Sequence, residues 1–164
     1  FYVISGQGTA AIELLEDSPV LDILLCPVGG GGLLSGTAIS AKSLSPSTKV
    51  IACEPTGADD AFRSFYGNQI FPSVNPQTIA DGLLTSLGEM NFAIIKNNVD
   101  EVVTVSEKAI VDAMRMVWER MKIIIEPSSA VPLAAILENK ISIENKNIGI
   151  IISGGNVDLN NLPF

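Results

Sequence analysis

The chain has 164 residues, 47% of them hydrophobic, and a formal net charge of −8 at pH 7. This length and composition are typical of a globular domain that buries a sizeable core. With only 10 Lys and Arg and no basic stripe, the sequence argues against a nucleic-acid-binding role. No apolar run approaches the roughly 20 residues of a membrane-spanning helix, and the absence of histidine excludes Ser-His-Asp triads and histidine-ligated zinc sites.

The first residues bear on whether a further segment precedes the chain, and the two cysteines bear on the redox compartment of the protein. Phe1 opens an apolar, strand-like run in place of an initiator Met, and a Gly-Gln-Gly turn is predicted at residues 6–8. We therefore expect a further segment upstream, and no signal peptide is recognisable. Cys26 and Cys53 lie in apolar runs with no neighbour that activates a thiolate. They predict buried free thiols and a reducing, cytoplasmic location.

Apolar segments of strand length alternate with segments of helical pattern from residue 21 onward. The predicted strands are residues 21–28, 49–54, 102–105 and 147–153. The predicted helices are residues 33–44, 59–66, 107–122 and 128–137, with a short helix after Thr78 and an irregular connection over residues 68–78. Strands that lack polar alternation and are separated by helices predict a mostly parallel sheet covered on both faces, which is a three-layer αβα fold.

Four consecutive glycines, Gly29 to Gly32, join the first predicted strand to the helix that follows it. Because these residues have no Cβ atom, several N–H groups can converge on one anion, and the helix start adds partial positive charge. Ligands of parallel sheets collect beyond the carboxyl ends of the strands, where Glu54 and Ser153-Gly154-Gly155 are also expected. The sequence therefore predicts a phosphate site in a cleft at this edge, with a merely tight turn as the alternative.

The residues themselves leave the identity of this ligand open. A P-loop would place Gly-Lys-Ser/Thr after the glycines, where Leu33 and Leu34 stand. The same leucines break the dinucleotide pattern G-x-G-x-x-G, but Glu54, about 20 residues further on, keeps a nicotinamide cofactor as an alternative. The hydroxyl of Ser153 suits a ring nitrogen, because it can donate a hydrogen bond without transferring its proton. A plain turn that requires glycine is the simpler interpretation of that segment.

Two carboxylates outline a candidate cation site. Glu54 and Asp60 flank a Pro-Thr-Gly turn, and the carbonyl of Ala58 lies between them in sequence. Oxygen ligands of this kind suit a hard divalent cation. Helix caps or surface acids are the alternative interpretation, because carboxylates at this spacing are common.

Taken together, the motifs resemble the C-terminal part of fold type II pyridoxal-phosphate enzymes, and within them the serine racemase and serine/threonine dehydratase group. The matching segments are Gly6-Gln-Gly-Thr9, Pro27-Val-Gly-Gly-Gly-Gly32, Glu54-Pro55 with Ala58-Asp-Asp60, Thr78-Ile-Ala-Asp-Gly82, Trp118-Glu-Arg-Met-Lys122, Glu126-Pro127 and Ser153-Gly-Gly-Asn-Val-Asp158. Their order and spacing cover nearly the whole chain. The resemblance implies that residues 1–164 are the C-terminal portion of the large cofactor-binding domain, and that the small domain lies upstream and is absent.

The resemblance also implies roles for individual positions. Those at the cofactor, pyridoxal 5'-phosphate, are Gly29, Gly30, Gly31 and Gly32 at the phosphate, Ser153 at the ring nitrogen, and Glu126 and Gly82 close to the ring. Those at a Mg²⁺, Ca²⁺ or Mn²⁺ site are Glu54, Ala58 through its carbonyl, and Asp60. In racemase-like members a nucleotide, here expected to be ATP as an effector, binds at a homodimer interface, and Lys122 and Asn156 match positions involved there.

The reaction that the resemblance implies is racemisation, β-elimination of water, or both, on a small hydroxy amino acid such as serine or threonine. A neutral serine at the ring nitrogen leaves the ring a weaker electron sink than an aspartate partner would, which favours these reactions over transamination. The alternatives are a non-catalytic module that binds a phosphorylated metabolite or nucleotide and, with less support, a fragment of a nicotinamide oxidoreductase.

The chain departs from the family pattern at two places. None of its lysines has the Ser-x-Lys-x-Arg-Gly context of the Schiff-base lysine, which is therefore expected upstream. On this view the chain alone binds the cofactor weakly and does not catalyse. Ser128-Ser129-Ala130 stand where relatives usually carry glycine or smaller residues, so that different packing near the ring is expected.

Overall fold

The structure is a computed structural model that describes residues 1–18 and 20–164. The helices in these residues are α1 (Tyr2–Gln7), α2 (Thr9–Asp17), α3 (Gly32–Leu44), α4 (Asp60–Gly67), α5 (Glu89–Asn98), α6 (Glu107–Met121) and α7 (Pro127–Leu137). The strands are β1 (Ile23–Pro27), β2 (Lys49–Pro55), β3 (Glu101–Val105) and β4 (Ile148–Ile150), and 3-10 helices span Thr56–Ala58 and Asp81–Leu83. None of the helices described combines the length and apolar character needed to span a bilayer.

The four strands form one parallel sheet in the order β3-β2-β1-β4. All five residues of β1 are buried, as expected of a strand with a neighbour on each side. Pro27 at the end of β1 lies opposite Cys53, and Pro55 at the end of β2 lies opposite Val105. The carboxyl ends of the strands therefore meet at one edge of the sheet, as predicted.

Alternate residues of each strand face two separate hydrophobic cores. Ile23 and Leu25 of β1 point to one side, where they pack with α6 and α7. Leu24 and Cys26 point to the other side, where they pack with α2, α3 and α5. This two-sided burial follows from the period of two in a strand. It confirms the three-layer αβα fold.

The beginning of the chain differs from the sequence prediction. The sequence predicts a strand-like run at residues 1–4, but residues 2–4 belong to α1, and Gly8 has right-handed helical backbone angles between α1 and α2. The prediction was wrong because this segment packs as a helix against α3 and buries Ile4, a contact between segments that the local pattern does not show. Helices α2 and α5 were also not predicted.

The remaining differences are small. β4 ends at Ile150, before the end of the predicted strand over residues 147–153, and the chain then forms a loop. The short helix expected after Thr78 is the 3-10 helix Asp81–Leu83, and residues 68–78 are irregular as predicted.

Both cysteines are fully buried free thiols, and burial raises the pKa of Cys26 to about 12. They act as small apolar core residues.

Gly36 sets the distance between α1 and α3, which makes it a sensitive test of this packing. A Cβ atom at Gly36 would lie 2.5 Å from the Gly8 nitrogen and closer still to the Ile4 carbonyl oxygen. Both contacts are backbone atoms that cannot rotate away, so we expect Gly36→Ala to lower the free energy of unfolding by about 1–3 kcal/mol. Urea denaturation measures this change.

The matched control is Gly6→Ala in α1. No atom of another described residue lies within 4 Å of a Cβ placed there. Alanine is the better helix former, so this variant should be neutral or more stable by about 0.5–1 kcal/mol. Equal stabilities of the two variants would contradict the close approach of α1 to α3.

Candidate functional site

A cavity of about 230 Å³ opens at the carboxyl edge of the sheet, between the loop after β1 and the first turn of α7. The residues that line it are Pro27, Gly29, Gly30, Gly31, Gly32, Leu33, Leu34, Gly82, Leu83, Glu126, Ser128 and Ser153. Every position that the sequence assigned to the pyridoxal cofactor lies on a wall of this cavity. Segments more than 100 residues apart in sequence thus form a single site.

The glycine loop forms one wall and is arranged as an anion cradle. Gly31 has φ of 87°, in the left-handed region that favours glycine, and α3 begins at the next residue with no side-chain cap. Within the described residues, no acceptor receives the N–H groups of Gly29 to Gly32. Unpaired N–H groups at the start of a 13-residue helix are a ready anion site.

A side chain and a backbone N–H group hold the loop in this position. The Gly30 carbonyl accepts hydrogen bonds from Asn91 Nδ2 at 2.6 Å and from the Gly88 N–H at 3.3 Å. A Cβ atom on Gly29 would lie 3.0 Å from the Gly82 carbonyl oxygen and 3.0 Å from Leu83 Cα. The loop therefore requires glycine for close approach as well as for its backbone conformation.

The opposite wall presents the hydroxyl of Ser153. This residue is exposed to the cavity, and its Oγ lies 3.0 Å from the Oγ of Ser129, which is 2% exposed. Ser129 Oγ in turn accepts a hydrogen bond from the Gly154 N–H at 2.7 Å. The hydroxyl at residue 153 is thus held on one side by α7 and is open to a ligand on the other.

Gly82 and Glu126 complete the rim. The Gly82 N–H donates to Ser128 Oγ at 3.1 Å, and a Cβ atom on Gly82 would approach that oxygen to 2.9 Å. Glu126 Oε2 accepts from the Asn156 N–H at 3.0 Å, and the Glu126 N–H donates to the Gly154 carbonyl at 3.1 Å. Glu126 therefore positions the loop that carries Ser153.

Glu54 and Asp60 lie away from this cavity and are both buried, at 0% and 1% exposure. The two carboxylate oxygens of Glu54 accept the N–H groups of Ala61 and Phe62 at 2.9 Å and 2.8 Å, so Glu54 caps the start of α4. Burial raises the pKa of Glu54 to about 8, since these two hydrogen bonds only partly offset the loss of hydration.

Asp60 keeps an unused acceptor beside that cap. Its Oδ2 accepts the Leu87 N–H at 3.3 Å, whereas its buried Oδ1 has no hydrogen-bond partner among residues 1–18 and 20–164. Burial also raises the pKa of Asp60. No N–H or O–H group in the described part of the chain donates to the Ala58 carbonyl. Among those same residues, no cluster of three or more His, Cys, Asp or Glu side chains is suited to hold a metal ion.

Lys122 and Asn156 lie outside the cavity beside the glycine loop and are both exposed. Lys122 follows α6 with φ of 60°, which ends that helix in a left-handed turn. Asn156 lines a separate cavity of about 460 Å³ with residues that include Ile79 and Leu162, and Lys122 is not part of its lining. The structure therefore does not bring these two positions into one cavity.

Sequence reasoning missed the partners that hold the site together. Ser128 and Ser129 stood out only as a departure from the family pattern, and Asn91 was not singled out. The one available signal was two adjacent hydroxyls at the start of an apolar helix, directly after Glu126-Pro127. Which walls those hydroxyls contact depends on folding.

Comparisons with known proteins agree with this geometry. The family model described as "Pyridoxal-phosphate dependent enzyme" matches residues 2–154. The serine racemase of Dictyostelium discoideum is 57% identical over 164 residues, which cover 98% of this chain and 51% of that protein. The beta-hydroxyaspartate dehydratase of Paracoccus denitrificans is 49% identical over 162 residues, covering 99% and 51%.

Solved structures show the same relationship. The crystal structure of the Dictyostelium discoideum serine racemase has a TM-score of 0.90 at 58% identity, covering 95% of this chain and 50% of that one. The crystal structure of a T.th. threonine deaminase has a TM-score of 0.89 at 44% identity, covering 94% and 58%. The chain spans about half the length of the curated relatives it matches. These matches overrule the nicotinamide alternative, and the chain belongs to the pyridoxal-phosphate dependent enzyme family, with a fold of type II.

Proposed function

We propose that the protein carrying this sequence uses pyridoxal 5'-phosphate to racemise or dehydrate a small hydroxy amino acid such as serine or threonine. The observation that carries this proposal is the juxtaposition, across one cavity, of the Gly29–Gly32 cradle and the Ser153 hydroxyl. The similar proteins are named as a serine racemase, a beta-hydroxyaspartate dehydratase and a threonine deaminase, which all point to hydroxy amino acids as the substrate class.

The residues of the cavity fit the cofactor's two polar ends. No acceptor in the described residues receives the N–H groups of Gly29 to Gly32, so these groups would hold the phosphate. A Cβ atom on Gly29 would crowd the Gly82 backbone. Ser153 holds the ring nitrogen through a neutral hydroxyl, and Gly82 and Glu126 border the ring. Pyridoxal phosphate, when bound, supplies the electron sink for chemistry at the substrate α-carbon. A neutral partner keeps that sink weak, which favours elimination or racemisation.

The reactive lysine of the family belongs, in this proposal, to a segment outside these 164 residues. Among the residues that the structure describes, no lysine lines the cavity, and no lysine of the sequence has the Ser-x-Lys-x-Arg-Gly context. The roles left to the described residues are to bind and orient the cofactor.

We also propose a cytoplasmic location, which the two buried free thiols support.

The cradle is tested by Gly29→Ala in the protein that carries this sequence. The added methyl group would push the loop away from Gly82 and weaken the contacts to the phosphate. A charge-assisted hydrogen bond contributes about 1.5–3 kcal/mol, so we expect the Kd for pyridoxal phosphate to rise by at least about tenfold. Fluorescence titration measures the Kd.

Gly6→Ala is again the control, since its Cβ meets no atom within 4 Å. It should leave the Kd unchanged, and thermal unfolding should show both variants folded. A wild-type protein with no affinity for pyridoxal phosphate, or a Gly29→Ala variant with the wild-type Kd, would contradict the proposed cradle.

We further propose that Glu54, the Ala58 carbonyl and Asp60 bind a divalent cation, Mg²⁺, Ca²⁺ or Mn²⁺. The buried Asp60 Oδ1 without a partner is an open acceptor, and the Ala58 carbonyl offers a second. A cation there would also stabilise two buried carboxylates whose charged forms are disfavoured without it. The ion would fasten the start of α4 to the end of β2.

Cation binding is tested by thermal unfolding after treatment with a chelator. Adding CaCl₂ or MgCl₂ should raise the unfolding midpoint of the wild type, because a ligand of the folded state stabilises it by about 2.7 kcal/mol at 100 times its Kd. Asp60→Asn should lose this increase. Asp112→Asn, at an exposed position of α6, should retain it. An equal increase in both variants would place the cation elsewhere.

We also propose a homodimer that binds ATP near Lys122 and Asn156. Both residues are exposed, and the apolar side chains of Met121 and Ile124 beside Lys122 are 60% and 54% exposed, as expected at a surface that a second subunit covers. Within the described residues of one chain, Lys122 and Asn156 do not share a cavity. A nucleotide site formed between two subunits would allow both residues to contact the same ligand.

Sedimentation velocity and ATP titration test this proposal together. We expect a dimer in the wild type and a Kd for ATP that rises about tenfold or more in Lys122→Ala, through loss of a charge-assisted contact. Lys108→Ala, which removes an exposed lysine near the start of α6, should leave the Kd unchanged. A monomer that binds ATP equally well in both variants would refute the shared site.

A further inference from the structure

The adjacent hydroxyls at the start of α7 are polar groups to which the proposed mechanism gives no role. Ser128 and Ser129 are each 2% exposed. Buried hydroxyls need hydrogen-bond partners, and the partners of this pair are the two walls of the cavity. Ser128 accepts from the Gly82 N–H on one side, whereas Ser129 contacts Ser153 and Gly154 on the other.

Ser129 Oγ has more polar neighbours than it has protons to give. It accepts from the Gly154 N–H at 2.7 Å, and it lies 2.7 Å from the Gly154 carbonyl oxygen and 3.0 Å from Ser153 Oγ. A serine hydroxyl offers one proton and two lone pairs. Its single proton therefore goes either to the Gly154 carbonyl or to Ser153 Oγ.

The Gly154 carbonyl does not depend on that proton. It already accepts the Glu126 N–H at 3.1 Å, so Ser129 can donate to Ser153 without leaving this half-buried carbonyl unpaired. When Ser129 donates, the proton of Ser153 is free to point into the cavity. In the opposite arrangement the Ser153 hydroxyl donates its proton to Ser129 Oγ, and only the lone pairs of Ser153 Oγ face the cavity.

We propose that Ser129 is a positioning residue that donates to Ser153 Oγ and thereby turns the Ser153 proton toward an unprotonated ring nitrogen of the bound cofactor. This inference rests on the proposed function. Without Ser129, the Ser153 hydroxyl can turn among staggered orientations, and its proton is no longer directed at the ring. The pair of serines, rather than Ser153 alone, then directs the hydrogen bond to the ring nitrogen.

The direct test is ¹⁵N NMR of the protein loaded with pyridoxal phosphate that carries ¹⁵N at the ring nitrogen. We expect the wild type to give the chemical shift of an unprotonated, hydrogen-bonded nitrogen. Ser129→Ala should move this shift in the same direction as Ser153→Ala. In the Ser153→Ala background, Ser129→Ala should add no further change, because both variants interrupt one chain of hydrogen bonds. The Kd for the cofactor should rise about two- to tenfold in Ser129→Ala.

Ser128→Ala is the matched comparison, because it removes an equally buried hydroxyl one residue earlier. It should weaken cofactor binding through the Gly82 wall and leave the ¹⁵N shift at its wild-type value. If Ser129→Ala does not fold, Ser129→Cys keeps a side chain of similar shape with a weaker donor and should give an intermediate shift.

The results distinguish a failure of the proposed function from a failure of the role proposed for Ser129. A wild-type protein that does not bind pyridoxal phosphate overturns the proposed function and this inference with it. A wild-type protein that binds the cofactor, with an unchanged ¹⁵N shift in Ser129→Ala or Ser129→Cys, overturns the role of Ser129 alone. An equal displacement of the shift in Ser128→Ala also overturns it, since the effect would then be general loosening of α7.

Discussion

The start of α3 is the constraint around which the site is built. Its first N–H groups have no acceptor in the part of the chain that the structure describes, and the chain reaches them through Gly31, whose φ of 87° suits glycine. Any side chain at Gly29 would meet the Gly82 backbone at 3.0 Å. The parallel sheet fixes this loop at the edge where the other strands end, so an anion bound there lies beside Gly82 and the segment that follows β4.

Helix α7 connects the two sides of that cavity. It packs against α6 and the sheet through buried alanines and Val131, while its N-terminal end presents three polar residues to the site. Ser128 holds Gly82, and Ser129 and Glu126 hold the loop of Ser153. A rigid helix is therefore the common support for the residues that would face the cofactor ring, and errors in its placement would affect both walls together.

The sequence predicted the sheet, because strands buried on both faces have a continuous run of apolar residues, and β1 is buried at every position. It did not predict α1, α2 or α5. In α1 only Ile4 is buried. The segment packs as a helix because the backbones at Gly8 and Gly36, which lie far apart in sequence, approach each other closely. Local pattern does not record such a contact, and the apolar residues at positions 1–4 resembled a strand.

The sequence by itself determined the glycine loop, the order of strands and helices from residue 21 onward apart from α5, and the set of motifs that shows the family, because each depends on residue type at a fixed spacing. Only the tertiary structure decided which groups meet. It made Glu54 a cap of α4, left Asp60 Oδ1 unpaired, and joined Ser129 to Ser153. The physical reason is that hydrogen bonds form between atoms about 3 Å apart, and folding alone sets those distances for residues remote in sequence.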